Sequence, residues 1–207
     1  MAKSSQEESW WLEAAKTVGL SLLLAFGIRT YVAEARWIPS GSMEPTLQIN
    51  DRLIVEKISY YFRDPERGDV VVFNPTQALK SQGFHDAFIK RVIGIPGDRV
   101  EIKDGSVYVN GRRLSESYVA NGDSTLIEAC GNVPGNSDRE PPLPFLAKPV
   151  IIPKESVLVL GDNRSNSYDG RCWGLVKKEE VVGRASFRFW PIGRTGTLPD
   201  FHPTFTN

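Results

Sequence analysis

Three stretches of the chain carry side chains that could do chemistry together. The first is Ile38-Pro39-Ser40-Gly41-Ser42-Met43-Glu44-Pro45-Thr46-Leu47, where two serines straddle a glycine. A hydroxyl on a glycine-flanked turn leaves its backbone N–H accessible to a developing oxyanion, which suits a serine nucleophile. Taken alone, the same residues also read as a loop joining two elements. The second is Lys90-Arg91-Val92-Ile93-Gly94-Ile95-Pro96-Gly97-Asp98. Lys90 falls inside an apolar run, where desolvation lowers an ammonium pKa and makes the neutral amine a competent general base. A strand lysine facing solvent is the plainer alternative. The third, Gly161-Asp162-Asn163-Arg164-Ser165-Asn166-Ser167-Tyr168-Asp169-Gly170-Arg171, is dense in hydrogen-bonding groups. It could orient a catalytic amine or only brace a polar loop.

Other chemistries find little support. Lys+Arg and Asp+Glu both number 25, so the chain lacks the surplus positive charge that nucleic-acid binding needs. His85 and His202 stand far apart without an HExxH pattern, and Cys130 and Cys172 are the only cysteines. No zinc site follows from these, nor a disulfide-stapled scaffold; whether the two thiols pair stays open. There is no Gly-x-Ser-x-Gly elbow, no Ser-x-x-Lys, no P-loop, no GxGxxG and no EF-hand loop.

These groups must be positioned by a chain of 207 residues, enough for one domain with an appendage or two small domains. Lys16 and Arg29 bracket 12 uncharged residues, Thr17 to Ile28. At about 1.5 Å each these cover roughly 18 Å, against the ~30 Å of a bilayer core. Three readings stand. One is a membrane anchor over about residues 12–33, with Trp10, Trp11 and Tyr31 at the interfaces and the two cations snorkelling. The second is a cleavable signal peptide ending at Ala33-Glu34-Ala35, and the third a buried core helix. Beyond residue 37 the pattern turns to short apolar runs with period two: 53–55, 69–73, 88–93, 100–103, 107–110, 156–160 and 181–190. Asp104-Gly105 signals a hairpin, and Gly183 a bulge. The fold class expected from these runs is mainly β: an antiparallel β domain over 37–192, behind the N-terminal segment 1–36. An inserted loop interrupts it over about 120–149, and a polar, poorly ordered tail covers 193–207.

The three stretches in this order, with Arg67-Gly68-Asp69-Val70-Val71-Val72-Phe73 between the first two, resemble the conserved boxes of type I signal peptidases. These are membrane-anchored serine proteases that cut signal peptides from exported proteins, and the resemblance spans about residues 10–192. It implies Ser42 as nucleophile and Lys90 as general base. It also implies an oxyanion hole from the Ser40 hydroxyl and the Ser42 N–H, and Ser167 positioning the lysine amine. Asp162 and Arg164 match a structural ion pair, and Asp169 a supporting acid. No metal or cofactor is implied. Lysine as the base is similar to the bacterial and organellar branch, whereas the endoplasmic-reticulum relatives place histidine there. The implied substrates are signal-peptide-bearing preproteins cut after small residues at −3 and −1. The implied setting is a single-pass protein in a lipid bilayer, its catalytic domain on the exported side, periplasmic, extracellular or in the thylakoid lumen. Contact with the export machinery, self-cleavage near Ala35 and a lipid contact through Trp37, Ile38 and Met43 are further expectations. Two alternatives are a Ser-Lys protease of related fold with another target, such as the self-cleaving repressors, and a non-enzymatic membrane-tethered binding domain.

Overall fold

The computed structural model describes residues 3–120, 124–127, 144–199, 201 and 204–206, with residues 3–9 described by backbone alone. The first element is a helix, α1 (Lys3–Gly27), which continues as a π-helical turn over Ile28–Val32. Within it, Trp10–Val32 is long and apolar enough to cross a membrane, 23 residues of mean hydropathy 1.4. At about 1.5 Å per residue the span reaches roughly 34 Å. The uncharged core Thr17–Ile28 is shorter than the span because the helix carries Lys16 within it, paired with Glu13 at 3.2 Å one turn away, and runs on past Arg29. The Thr17 and Ser21 hydroxyls donate to the carbonyls of Glu13 and Thr17, four residues back, so both bond within the helix. None of the span is buried against the rest of the chain, which overturns the reading of a buried core helix.

The body consists of antiparallel strands in two sheets. In chain order they are β1 (Ala33–Trp37), β2 (Arg52–Glu56), β3 (Val70–Phe73), β4 (Phe88–Gly94), β5 (Arg99–Lys103), β6 (Ser106–Val109), β7 (Arg112–Ser115), β8 (Val150–Ile151), β9 (Ser156–Leu160), β10 (Val176–Lys177), β11 (Val181–Trp190), β12 (Gly196–Thr197) and β13 (Thr204–Phe205). The larger sheet runs β1-β2-β11-β3-β4-β9-β10, with β12 paired to β11; the smaller runs β13-β7-β6-β5-β8. The strands expected from apolar runs all form. β3 and β9 are apolar almost without alternation because both lie inside the sheet and bury both faces. The β5–β6 hairpin turns at Asp104-Gly105, both with positive φ, 50° and 69°, the backbone such a turn requires. The pairing of β11 with β3 shifts register between Val181 and Gly183, the expected bulge. A Cβ at Gly183 would meet the Glu56 carbonyl oxygen at 2.4 Å.

Three details of the chain differ from the sequence reading. The sheet begins at Ala33, not at residue 37. β1 pairs with β2 from Ala33↔Glu56 to Trp37↔Arg52, which puts Ala33-Glu34-Ala35 inside a hydrogen-bonded strand. Its alternation of small and charged residues suits an edge. The tail expected to be disordered is structured through its described residues. Arg194 and Arg188 pair with the buried Asp51 at 3.1 and 3.3 Å, and Leu198 packs with Met43 and Leu47. β13 adds to β7. A strand missed in the sequence, β7, follows a second primed turn at Asn110-Gly111, with φ 54° and 80°. Of the expected insert, 121–123 and 128–143 lie outside the described residues, Cys130 among them; Cys172 is disulfide-bonded.

Candidate active site

Ser42 sits on a tight 3-10 turn, Gly41–Met43, fixed from both flanks by burial of Ile38, Met43 and Leu47. The turn closes through Glu44 N–H to the Gly41 carbonyl at 3.1 Å and Leu47 N–H to the Met43 carbonyl at 2.8 Å. Asn163 clamps it from the polar run. Its backbone N–H donates to the Ser42 carbonyl at 3.2 Å and its Nδ2 to the Gly41 carbonyl at 3.1 Å. Sequence reasoning did not single out Asn163, because its partners are backbone atoms 121 and 122 residues away.

Lys90 lies on β4, opposite Val71 of β3, and is 3% exposed. Its Nζ donates to Ser42 Oγ at 2.8 Å and to the Ile89 carbonyl at 2.9 Å. Burial pushes the amine down to about 8, with Arg171 adding to the fall and Asp169 and Asp162 opposing it. The Ser40 hydroxyl stands 3.4 Å from Ser42 Oγ. Two serines and a lysine, up to 50 residues apart in the chain, thus share one site.

The polar run is wired differently from the sequence expectation. Asp162 does not pair with Arg164. Its carboxylate takes a fork from Arg91, Nε at 2.8 Å and Nη2 at 2.6 Å, and the Thr46 hydroxyl at 2.6 Å. Arg164 turns the other way, giving Nη1 to Glu116 at 2.9 Å, Nη2 to Glu116 and Nη1 to Thr125, and Nε to the Gly161 carbonyl at 3.0 Å. Asp162 and Arg91 are both fully buried, so each needs a counter-ion, and β4 supplies the one that Asp162 takes. The Arg91 guanidinium also lies 4.1 Å from the Tyr118 ring centroid. Asp169 caps the short helix α2 (Gly170–Trp173) and accepts from Gly161 N–H at 2.9 Å and Arg171 Nε at 2.8 Å. Burial pushes its carboxyl up, but the Arg171 charge and hydrogen bonds and the Gly161 N–H outweigh that and hold it below the usual carboxylate range. Ser167 makes no hydrogen bond to Lys90: its Oγ is buried without a hydrogen-bond partner among the described residues. It lines the same groove instead.

Gly161 is where these parts meet. A Cβ there would fall 2.1 Å from Ser167 Oγ and 2.5 Å from the Ser42 carbonyl oxygen. Gly161→Ala is therefore expected to destabilise the fold by about 1–3 kcal/mol through overpacking. It should slow catalysis by roughly a hundredfold, since a displacement near 1 Å at the reacting groups costs that much. Urea midpoints and initial rates of the full chain in detergent check both; an unchanged rate would mean the contact does not hold Ser42.

The site opens into a groove of about 550 Å³, lined by Ser40, Ser42, Lys90 and Ser167 with Phe88 and Tyr168. His85 is at its wall, not at the serine–lysine pair. Among the described residues no three His, Cys, Asp or Glu side chains converge to hold a metal ion. A mainly antiparallel β fold that buries a lysine amine against a serine hydroxyl has the layout of a serine endopeptidase. The family model described as signal peptidase, peptidase S26, matches residues 11–190, and the chain belongs to that family. It is 56% identical to a probable signal peptidase I-2 of Synechocystis, over 96% of this chain and 82% of that one. It is 49% identical to the signal peptidase I of Leptolyngbya laminosa, over 95% and 88%. To the probable thylakoidal processing peptidase 2 of Arabidopsis thaliana it is 36% identical, over 90% of this chain and 46% of that longer one.

Proposed function

We propose that the chain removes N-terminal signal peptides from exported preproteins with a Ser42–Lys90 dyad, cutting after small residues at −3 and −1. The observation that carries this is the 2.8 Å contact between Lys90 Nζ and Ser42 Oγ, made by an amine whose proton is loosened by burial. The neutral amine takes the Ser42 proton as the oxygen attacks the scissile carbonyl. The Ser42 N–H and the Ser40 hydroxyl meet the oxyanion; one such donor is worth about 3 kcal/mol. Lys90 then protonates the leaving amine and afterwards activates the water that hydrolyses the acyl-enzyme. The substrate lies extended in the groove, adding a strand to an exposed edge. Shallow apolar pockets there would admit small side chains and exclude large ones.

The span Trp10–Val32 anchors the enzyme as a single-pass protein, with the body on the exported face of the membrane, where signal peptides emerge. The test is cleavage of a precursor with alanine at −3 and −1, in detergent, with the product's N-terminus sequenced. Wild-type chain is expected to cut at that bond. Ser42→Ala is expected to lose at least about 10³-fold, as when a nucleophile is removed from a unit that acts together. Comparable cleavage by Ser42→Ala would reject Ser42 as the nucleophile.

A further inference from the structure

We propose that Lys57 is a positioning residue: it clasps the end of α1 and so fixes the direction in which the catalytic body stands on its helix. The inference rests on reading α1 as a membrane span and on the peptidase activity proposed above. The last carbonyls of a helix have no partner within it. Across the π-helical turn, Ala33 N–H reaches the carbonyl of Ile28, and Lys57 takes three of the carbonyls that follow. Its Nζ donates to those of Arg29 and Thr30 at 2.9 and 3.3 Å, and its backbone N–H to that of Val32 at 2.9 Å. The same Nζ lies 3.1 Å from Glu34 Oε2, the second residue of β1, and Glu34 is itself held by Arg36 at 2.6 Å. A lysine ammonium has three donors, and these three acceptors use them all. A cation at this place also complements the negative end of the helix dipole. One side chain, 15% exposed, thus binds both the helix end and the strand that follows it.

This junction governs where the serine–lysine pair stands. The span is not buried against the body, so packing along its length does not set its direction. No linker separates the two parts: the π-helical turn ends at Val32 and β1 starts at Ala33. β1 runs to Trp37, and Ser42 follows five residues later. Lys57 comes directly after β2, which pairs with β1 on one side and with β11 on the other, so the clasp is mounted on an interior strand of the larger sheet. A precursor anchored in the same bilayer presents its scissile bond at one depth. A body fixed on its helix meets that bond at a constant height. A body free to swing at Val32 would meet it in only a fraction of its orientations, and the rate would fall by that fraction. Losing even one charge-assisted hydrogen bond shifts such an equilibrium by about tenfold.

The experiment uses the full chain in phosphatidylcholine vesicles, comparing wild type with Lys57→Met, which keeps the stem and the backbone bond to Val32 and removes the ammonium. Spin labels at Leu20→Cys on α1 and Ile151→Cys on β8, both exposed positions, report the distance between helix and body. The native Cys172 is disulfide-bonded and takes no label. With Lys57 in place the distance distribution is expected to be narrow, and with Lys57→Met clearly broader. Equal widths would overturn the clasp. In parallel, Lys57→Met should slow cleavage of a vesicle-embedded precursor by about tenfold and leave cleavage of a short soluble peptide unchanged. Equal slowing of both substrates would assign Lys57 to folding, and no slowing of either would also overturn the proposal. Release of the chain from the vesicles by a carbonate wash would overturn the span reading, and the proposal with it. A wild-type chain that cut neither substrate would reject the peptidase reading on its own account; the label distances would still uphold or overturn the clasp.

Discussion

Lys90→Met is expected to abolish cleavage while making the protein more stable. Losing the base should cost about 10²–10⁴-fold in rate, measured on the precursor with alanine at −3 and −1. The stability gain follows from linkage. The amine has an ordinary value of 10.5 when exposed in the unfolded chain and is pushed down to about 8 in the native site, chiefly by burial. Between these values the unfolded chain binds more protons, so native stability rises with pH from about 8 to 10.5 and the cost is fully present below 8. That gap corresponds to at most about 3 kcal/mol. Methionine fills similar volume and carries no charge, so below pH 8 the variant should unfold at higher urea, and its advantage should shrink toward pH 10.5. Hydrogen bonds lost to Ser42 and the Ile89 carbonyl reduce the gain. The wild-type rate should climb with pH and level off above about 8 as the amine becomes neutral. A variant that still cleaves would remove Lys90 from the mechanism. A variant less stable at pH 7 would mean that the buried amine is better solvated than its surroundings imply.

Asp162→Asn is expected to be the most damaging change away from the reacting atoms. It leaves the Arg91 guanidinium fully buried without its counter-ion, a loss of about 3–5 kcal/mol. The Thr46 hydroxyl loses a charged acceptor, and Thr46 belongs to the loop that carries Ser42. Activity should fall accordingly. The pH profile separates a specific role from general loosening: Asp162 holds the Lys90 proton on, so removing its charge should move the rising limb to lower pH. Loosening that lets water reach the amine would move it to higher pH. Denaturant curves with rates from pH 6 to 10 read both effects; an unshifted limb with unchanged stability would refute the coupling.

Much of this site was visible in the residues themselves. Ser42 and Lys90 each stood out from their immediate neighbours, one on a glycine-flanked turn and the other a cation in an apolar run. Their meeting was not visible, because β4 and the Ser42 turn are 48 residues apart. Arg91 lay in a stretch already marked as unusual, yet nothing local says that a cation beside Lys90 faces a carboxylate on the chain after β9. The Asp162–Arg164 pair was an implication of the family resemblance, whereas the two side chains take different partners, Arg91 and Glu116. Gly161 acts by lacking a Cβ and Asn163 by bonding distant backbone carbonyls, and neither leaves a signature in the local sequence. Among the strands, β7 had its Asn-Gly turn in plain view. β1 was obscured by its charges, since an edge strand pairs by backbone and needs no apolar alternation.

The order of residues by itself determined the apolar helix, the strand-forming runs, the primed turns and the residue types able to act as nucleophile and base. Those are local properties, set by period, side-chain shape and the backbone angles that glycine, asparagine and aspartate tolerate. Only the tertiary structure decided which buried charges neutralise one another, that the chain past Trp190 folds back onto Asp51, and that Lys90 is dry enough to lose its proton near pH 8. Burial and register are properties of the packed whole: an ion's partner and its desolvation depend on what every other strand brings within a few ångströms of it.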